Sequence, residues 1–426
     1  MTFTRKLKPH EFNLWRDKRP RLGQLDIELT ERCNNDCIHC CINLPANDAD
    51  ARAREMTTVQ VQDILQQAAD LGCLQVRFTG GEPLLRPDFE DLYLHARRLG
   101  LKVLLFTNAR LITPALADLF ARIPPRVPIE VTVYGMRAES YEAVTRAPGS
   151  FAQFWRGVNL LLDRRIPFVV KSALLPPNRG EMEEFEAWAA TIPWMDPGPS
   201  YSMFFDLRGR RDSEEKNRLI RSLRLSPAEG LAVLTRDRAG YLKGMGEFCA
   251  RFIGPPGELL FTCGAGRGAC VDAYGRAQMC MGLRAPEMTY DLLRRGEVIS
   301  PLRYALTEFF PRLRELRAAN PEYLRRCARC FLKGLCEQCP AKSWAEHGTL
   351  DTPVKYLCQV AHAQARELGL LGENEQGWEV MDWRQRMARL AGVSERGRVS
   401  AALCAHARGP TIARSFRDFR ALSRIS

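Results

Sequence analysis

Cysteines 33, 37 and 40, in the run Cys33-Asn-Asn-Asp-Cys37-Ile-His-Cys40, constrain this chain more than any other stretch. They follow a short apolar segment, Leu25 to Leu29, that reads as a strand, so three thiols leave one strand end on a single tight loop. At C-x3-C-x2-C they can converge on one face of a cubane iron-sulfur cluster and leave its fourth iron without a protein ligand. The competing arrangement is structural zinc, which is closed by four ligands, commonly in paired knuckles. His39 lies too close to both flanking cysteines to complete such a site easily, and Cys41 would reach the same metal only with strain.

A second run, Phe78-Thr-Gly-Gly-Glu-Pro83, follows downstream. Gly80 and Gly81 let backbone amides come close to a ligand, and Glu82 offers an acceptor for an ammonium group. The two runs, in this order, resemble the cysteine and Gly-Gly-Glu motifs of the radical S-adenosylmethionine (SAM) enzymes. The resemblance implies a core 4Fe-4S cluster on Cys33, Cys37 and Cys40. It implies SAM chelated to the open iron, and a 5'-deoxyadenosyl radical released when the reduced cluster passes an electron to the sulfonium. SAM contacts are expected from Gly80, Gly81, Glu82 and Pro83, with Thr107 and Asn108 at the end of the third strand. His39 fills the slot before the last cysteine, where the main chain of the family meets adenine. Thr132 matches a polar strand position, although a β-branched residue also suits a strand for its own sake. Arg146 is the candidate for an arginine that the family often places beyond that strand.

The rest of the first half alternates. Val61, Ile64, Leu65, Ala68 and Leu71 fall at helical spacing after a Thr57 or Thr58 cap and before Gly72. Helices are predicted over 89–98, 114–122, 151–164 and 181–190. Strands are predicted over 25–29, 74–78, 101–106, 129–133, 168–173 and 201–206. Six strands alternating with helices imply an α/β fold with a parallel sheet and right-handed crossovers. The resemblance makes this a partial (β/α)6 barrel, with the motifs in loops after strand C-termini, where parallel barrels carry function.

Eight more cysteines occupy residues 263–358: Cys263, Cys270, Cys280, then Cys327-x2-Cys330-x5-Cys336-x2-Cys339, and Cys358. Zinc ribbons separate their C-x2-C knuckles by more than five residues. Val271 to Arg276 reads as a short hairpin with Gly275 at its turn. The pattern C-x11-G-x4-C, followed by the cluster and a final cysteine, resembles the SPASM domain of radical SAM enzymes, with x2 in place of x3 before Cys339. That resemblance implies two auxiliary 4Fe-4S clusters. Cys263, Cys280 and Cys339 would hold the first, with Cys270 either completing it or leaving an open iron. Cys327, Cys330, Cys336 and Cys358 would hold the second. In the sulfatase-maturing branch an Asp follows the cysteine equivalent to Cys280 and acts as a base; Met281 stands here, and the catalytic acid and base are not apparent. Cys41, Cys73, Cys249 and Cys404 read as small buried hydrophobes.

The expected organisation is a lead-in (1–24), the partial barrel (25–210), a bridging helical segment (211–260), the SPASM region (261–370) and a basic helical extension (371–426). The stretch Arg208 to Lys216 reads as a solvated, charge-dense loop, and Arg414 to Ser426 as a weakly amphipathic surface helix or a frayed tail. An odd count of 15 cysteines without an export signal or a membrane-length apolar run points to a reducing cytoplasm. The formal charge of +12 would ordinarily suggest nucleic acid or acidic partners. Anionic clusters account for part of it, which makes nucleic acid an unlikely partner and an acidic electron donor such as flavodoxin or ferredoxin a natural one. The family's usual substrates make a ribosomal peptide or protein the expected one, with the leader bound by a separate protein or by the basic tail. Oxidation or rearrangement of a small molecule is the rival enzyme activity, and a non-catalytic iron-sulfur electron carrier the rival from another class.

Overall fold

The computed structural model describes residues 22–390, apart from 197, 267 and 295–299. Strand β1, Gln24–Thr30, shows how the architecture is built. Leu25, Ile27 and Leu29 are fully buried on one face, while Asp26, Glu28 and Thr30 alternate onto the other. Parallel neighbours follow in chain order: β2 (Gln75–Gly80), β3 (Lys102–Thr107), β4 (Ile129–Val133), β5 (Phe168–Ala173) and β6 (Ser200–Ser202). Three strands extend the other edge of β1: β7 (Ala269–Val271) pairs parallel with it, then β8 (Arg276–Gln278) and β9 (Tyr290–Asp291) return antiparallel. β6 and β9 are the two ends of this sheet, so it stays open.

Helices cover the apolar face. The first two are α1 (Ala49–Arg54) and α2 (Thr58–Asp70), whose N-terminus carries a complete Thr57–Gln60 capping box. The stripe Val61, Ile64, Leu65 and Ala68 is buried as its spacing predicts, each large side chain contributing about 1.5–3 kcal/mol. Then come α3 (Phe89–Arg98), α4 (Pro114–Arg122), α5 (Ala138–Thr145), α6 (Ser150–Asp163) and α7 (Met182–Ala189). α1 and α5 are absent from the sequence reading: each is short and offers too few apolar positions to show a period.

The segment after β6 is helical: α8 (Glu214–Leu223), α9 (Pro227–Leu234) and α10 (Arg238–Phe252). The charge-dense stretch before it is solvated only in part: Arg211, Asp212, Glu214 and Glu215 are exposed, but other charges are paired. Arg208, 5% exposed, bonds Asp212 and the Asn43 carbonyl. Arg210 pairs with Glu31 and Asp272, and Arg211 donates to the Trp344 and Ala345 carbonyls. These charges form the seam between the barrel and the C-terminal region. α11 (Pro340–His347), α12 (Lys355–Glu367) and α13 (Trp383–Leu390) complete the described chain.

The hydrophobic cores cross the boundaries expected at 260 and 370. Leu260, Phe261, Val271, Ala277 and Phe310 share the barrel's core. A second core joins Tyr241 and Cys249 of α10 to Phe331, Leu332, Ala361, Ala365, Leu371, Val380 and Met387. The start of the extension is therefore part of the C-terminal fold, while the basic run 414–426 lies outside the described residues. Among the described residues no helix is long and apolar enough to cross a membrane.

Candidate functional site

The cysteine loop hangs from the end of β1 and is gripped from several sides. Arg32–Cys33 pairs with Leu44–Pro45 in a two-stranded ribbon, and Arg32 is locked by a buried ion pair to Glu55 at 2.8 Å. Asp36 and Ile38 donate their amides to the Thr145 and Val144 carbonyls at the end of α5, at 2.8 and 3.0 Å. Lys216 on α8 caps the Cys37 carbonyl at 2.9 Å. Arg110, just past β3, bonds the Asn34 carbonyl, the Asn35 side chain and Gln153, and Asn108 reaches Asn34 Oδ1 at 2.7 Å. Sequence reasoning stopped at Asn108 and missed Arg110 and Lys216; a cation just beyond a barrel strand's C-terminal end was the signal available for Arg110.

The three sulfurs sit in a donor-rich setting. Cys33 Sγ accepts the Asn35 amide at 3.4 Å and lies 3.8 Å from Asn108 Nδ2, while Cys40 Sγ accepts the Asn43 amide at 3.4 Å. Burial first, and then the Glu82 carboxylate and the neighbouring thiolates, push Cys33 well up, and burial with Cys40 pushes Cys37 to about 12. Such a set ionises together when a cation compensates it, which is the chemistry of cluster ligands. Asn34 Nδ2, Asn35 Nδ2, His39 Nδ1 and Asn43 Oδ1 are buried in the same loop without protein partners. The site thus fits a bound polar group. Among the described residues no three His, Cys, Asp or Glu side chains close on a single ion; thiolates of a cubane bind different irons and stand further apart than that.

The Gly-Gly-Glu run meets this loop edge to edge. A Cβ on Gly80 would lie 2.1 Å from the Thr30 carbonyl oxygen, and one on Gly81 would lie 2.1 Å from that of Arg32. Gly81 and Glu82 donate their amides to those same two carbonyls at 2.7 and 2.9 Å. The glycines therefore let β2 press against the root of the cysteine loop. Glu82 is 1% exposed and accepts from Thr107 Oγ1 (2.8 Å), the Asn108 amide (2.8 Å) and the Leu84 amide (3.1 Å). Burial pushes its carboxyl up to about 7, against these hydrogen bonds. An arriving ammonium group would hold it ionised.

His39 packs its ring 5.1 Å from Phe205 and 5.7 Å from Tyr134, and burial lowers it to about 4, so it is neutral. Thr132 is partly buried on β4, opposite Lys171 in the register. Arg146, left-handed at φ 50°, ends α5 and pairs with Asp36 of the cysteine loop at 3.5 Å, so its guanidinium is engaged there. Pro83 opens a short 3-10 turn behind Glu82.

The C-terminal cysteines fall into two neighbourhoods. Burial and then Cys339 and Cys263 raise Cys280, and Cys339 is raised by burial with Cys263 adding to it. Burial raises Cys327, Cys330 and Cys336 to about 11, 12 and 12, and Cys358 is a charged neighbour of all three. Cys270 is fully buried on β7, and its charged neighbours are Glu28, Arg284, Asp26 and Asp272. Met281 accepts from Arg77 Nη1 at 3.3 Å. A cavity of about 260 Å³ opens beside this region, lined by Arg210, Asp272, Arg276, Gln278 and Arg284 among others. The single cysteines 73 and 249 are buried, as small hydrophobes would be; Cys404 lies outside the described residues.

The profile of the Radical SAM superfamily matches residues 27–189. The mycofactocin maturase MftC of Mycolicibacterium smegmatis is 31% identical over 327 residues, covering 72% of this chain and 74% of that protein. The PqqA peptide cyclase of Streptomyces rochei is 47% identical over 96 residues, 22% of this chain and 26% of that protein. Among solved structures, native anSMEcpe with bound AdoMet superposes with a TM-score of 0.58 at 14% identity, covering 87% of this chain and 99% of that one. At that identity the likeness is one of fold.

Proposed function

The chain belongs to the radical SAM superfamily, and from that premise we propose that it is a maturase acting on a ribosomally made peptide. The observation that carries the reading is the join of the Cys33–Cys40 loop to the Gly80–Glu82 run at the ends of two adjacent barrel strands. When bound, a reduced 4Fe-4S cluster with one open iron supplies the electron that splits SAM into methionine and a hydrogen-abstracting 5'-deoxyadenosyl radical.

The chain's own part is to hold and shield. Cys33, Cys37 and Cys40 would hold the core cluster, with Asn108, Arg110 and Lys216 fixing their loop. Glu82, backed by Thr107 and Asn108, would receive the methionine ammonium, and the neutral His39 segment would lie along adenine. Thr132 and Arg146 remain assigned to SAM by family position. Cys263, Cys280 and Cys339 would hold a first auxiliary cluster, with Cys270, fully buried on β7, either completing it or leaving an open iron. Cys327, Cys330, Cys336 and Cys358 would hold a second. Met281, against Arg77, supplies no base.

The peptide assignment rests on the named maturase and peptide-cyclase relatives. An acidic flavodoxin or ferredoxin would deliver electrons, a separate protein would present the leader, and the reducing cytoplasm suits the clusters. The test is anaerobic reconstitution followed by measurement of 5'-deoxyadenosine formed from SAM and dithionite, with and without precursor peptides encoded nearby. Cofactor cleavage stimulated by a peptide, with a mass change in that peptide, is expected. Cleavage stimulated instead by a small metabolite would replace the peptide reading, and no cleavage at all would return the chain to electron carriage.

A further inference from the structure

Cys358 is the best-supported sulfur in the C-terminal field. It stands on α12, and two side chains approach its Sγ: Arg326 Nη2 at 3.7 Å and His362 Nδ1, one helical turn on, at 3.6 Å. The imidazole's orientation is fixed from behind. The Gly377 amide donates to His362 Nε2 at 3.1 Å, so Nε2 is the acceptor and the ring's proton sits on Nδ1. That proton faces both the Cys358 carbonyl, at 2.8 Å, and the sulfur. Trp378 then closes the arrangement, its ring 5.4 Å from that of His362 and under the Arg326 guanidinium at 4.4 Å. Arg326 Nε is buried and has no protein partner.

The same short segment meets a second sulfur of the group. A Cβ on Gly377 would lie 2.7 Å from Cys330 Sγ, and the Gly377 carbonyl accepts the Phe331 amide at 3.1 Å. Phe331 in turn stacks on Trp383 of α13. In the first group Cys263 Sγ accepts the Ala265 amide at 3.5 Å, and Arg314 beside it binds the Cys263 and Ala265 carbonyls rather than sulfur.

We infer that Arg326 and His362 are positioning residues that donate hydrogen bonds to the Cys358 sulfur and raise the potential of the second auxiliary cluster, with residues 377–383 as the strap that holds His362 in its donating tautomer. This rests on the assignment of that cluster to Cys327, Cys330, Cys336 and Cys358. Donors to cluster sulfurs stabilise the negative charge added on reduction; the charge on Arg326 is offset by its ion pair with Glu322, so the hydrogen bonds carry the effect.

The test uses the full chain carrying Cys33→Ala, Cys37→Ala and Cys40→Ala, so that the signals read are auxiliary ones. Iron and sulfide are counted, and an anaerobic redox titration is followed by electron paramagnetic resonance. Adding Arg326→Ala and His362→Phe is expected to leave the iron count unchanged and to shift one of two midpoints negative. The expected shift is about tenfold in the reduced-to-oxidised ratio, or about 59 mV for one electron. His362→Asn, which keeps an N–H near the Nδ1 position, is expected to recover part of the shift with Arg326 restored. Full iron with both midpoints unmoved overturns the inference and leaves the cluster assignment standing. Loss of no iron when Cys358 and Cys330 are replaced overturns the assignment itself.

Discussion

The two cysteine regions reach their geometry by opposite routes. In the amino-terminal loop all three sulfurs come from one short run, and its shape is imposed by polar groups: Thr145 and Val144 carbonyls, Asn108, Arg110 and Lys216 each hold a backbone or amide atom of the loop. In the C-terminal field the sulfurs arrive from separate elements, Cys263 and Cys280 from either side of the β7–β8 hairpin, Cys339 from the start of α11, and Cys358 from α12. There hydrophobic packing flanks the field, Cys330 and Cys336 lying against the second core and Cys327 and Cys339 against the first. A loop held by buried backbone contacts has no slack, whereas a core can repack around a small intrusion. The sharpest way to break this contrast is a matched pair of glycine substitutions. Gly81→Ala puts a methyl group 2.1 Å from a backbone oxygen at the root of the cysteine loop, and Gly377→Ala puts one 2.7 Å from a sulfur and 2.8 Å from the movable Leu332 side chain. The first is expected to abolish SAM cleavage and cost about 3 kcal/mol or more, the second to cost about 1 kcal/mol with SAM cleavage retained. Equal losses, by urea unfolding and 5'-deoxyadenosine yield, would erase the distinction.

Arg110→Ala tests the polar grip itself. The change strands the Asn34 carbonyl and the Asn35 and Gln153 side-chain oxygens, each of which loses a charged donor. Stability is expected to fall by about 2–3 kcal/mol. The more telling reading is iron: the core complement should fall while the auxiliary complement is kept. Iron lost evenly from both regions would mean that Arg110 supports the whole fold rather than the loop.

This difference also governs what the amino-acid order reveals. The cysteine and Gly-Gly-Glu runs and the capped stripe of α2 are local, so spacing alone exposes them. The role of Gly80 and Gly81 in packing is not local: their need for space comes from Thr30 and Arg32, about fifty residues away. Arg208 to Lys216 looked like a hydrated charge run because its partners, Glu31, Asp272 and the α11 carbonyls, are distant in sequence. Glu82 shows the same limit in reverse. Its presence is legible, but its hydrogen bonds from Thr107 and Asn108 are visible only once β3 is placed beside it.

A pH-dependent effect is expected on the seam that joins the two regions. Glu28, on the strand that carries the cysteine loop, pairs with Arg284, just beyond Cys280. Burial lifts its carboxyl to about 7 from 4.5, against Arg284 and with help from Glu31 and Asp272. The folded chain therefore keeps this proton over a range in which the unfolded chain has lost it. The contribution is fully present below about pH 4.5 and is lost as pH climbs toward 7. Glu28→Gln, a neutral match in shape, removes that dependence. The stability of the unchanged chain minus that of the variant should decline between these pH values by at most about 3 kcal/mol. Anaerobic urea unfolding at several pH values reads the slope directly. A difference that stays flat would mean that Arg284 keeps Glu28 ionised throughout, making the seam a fixed ion pair whose strength does not vary where the two regions meet.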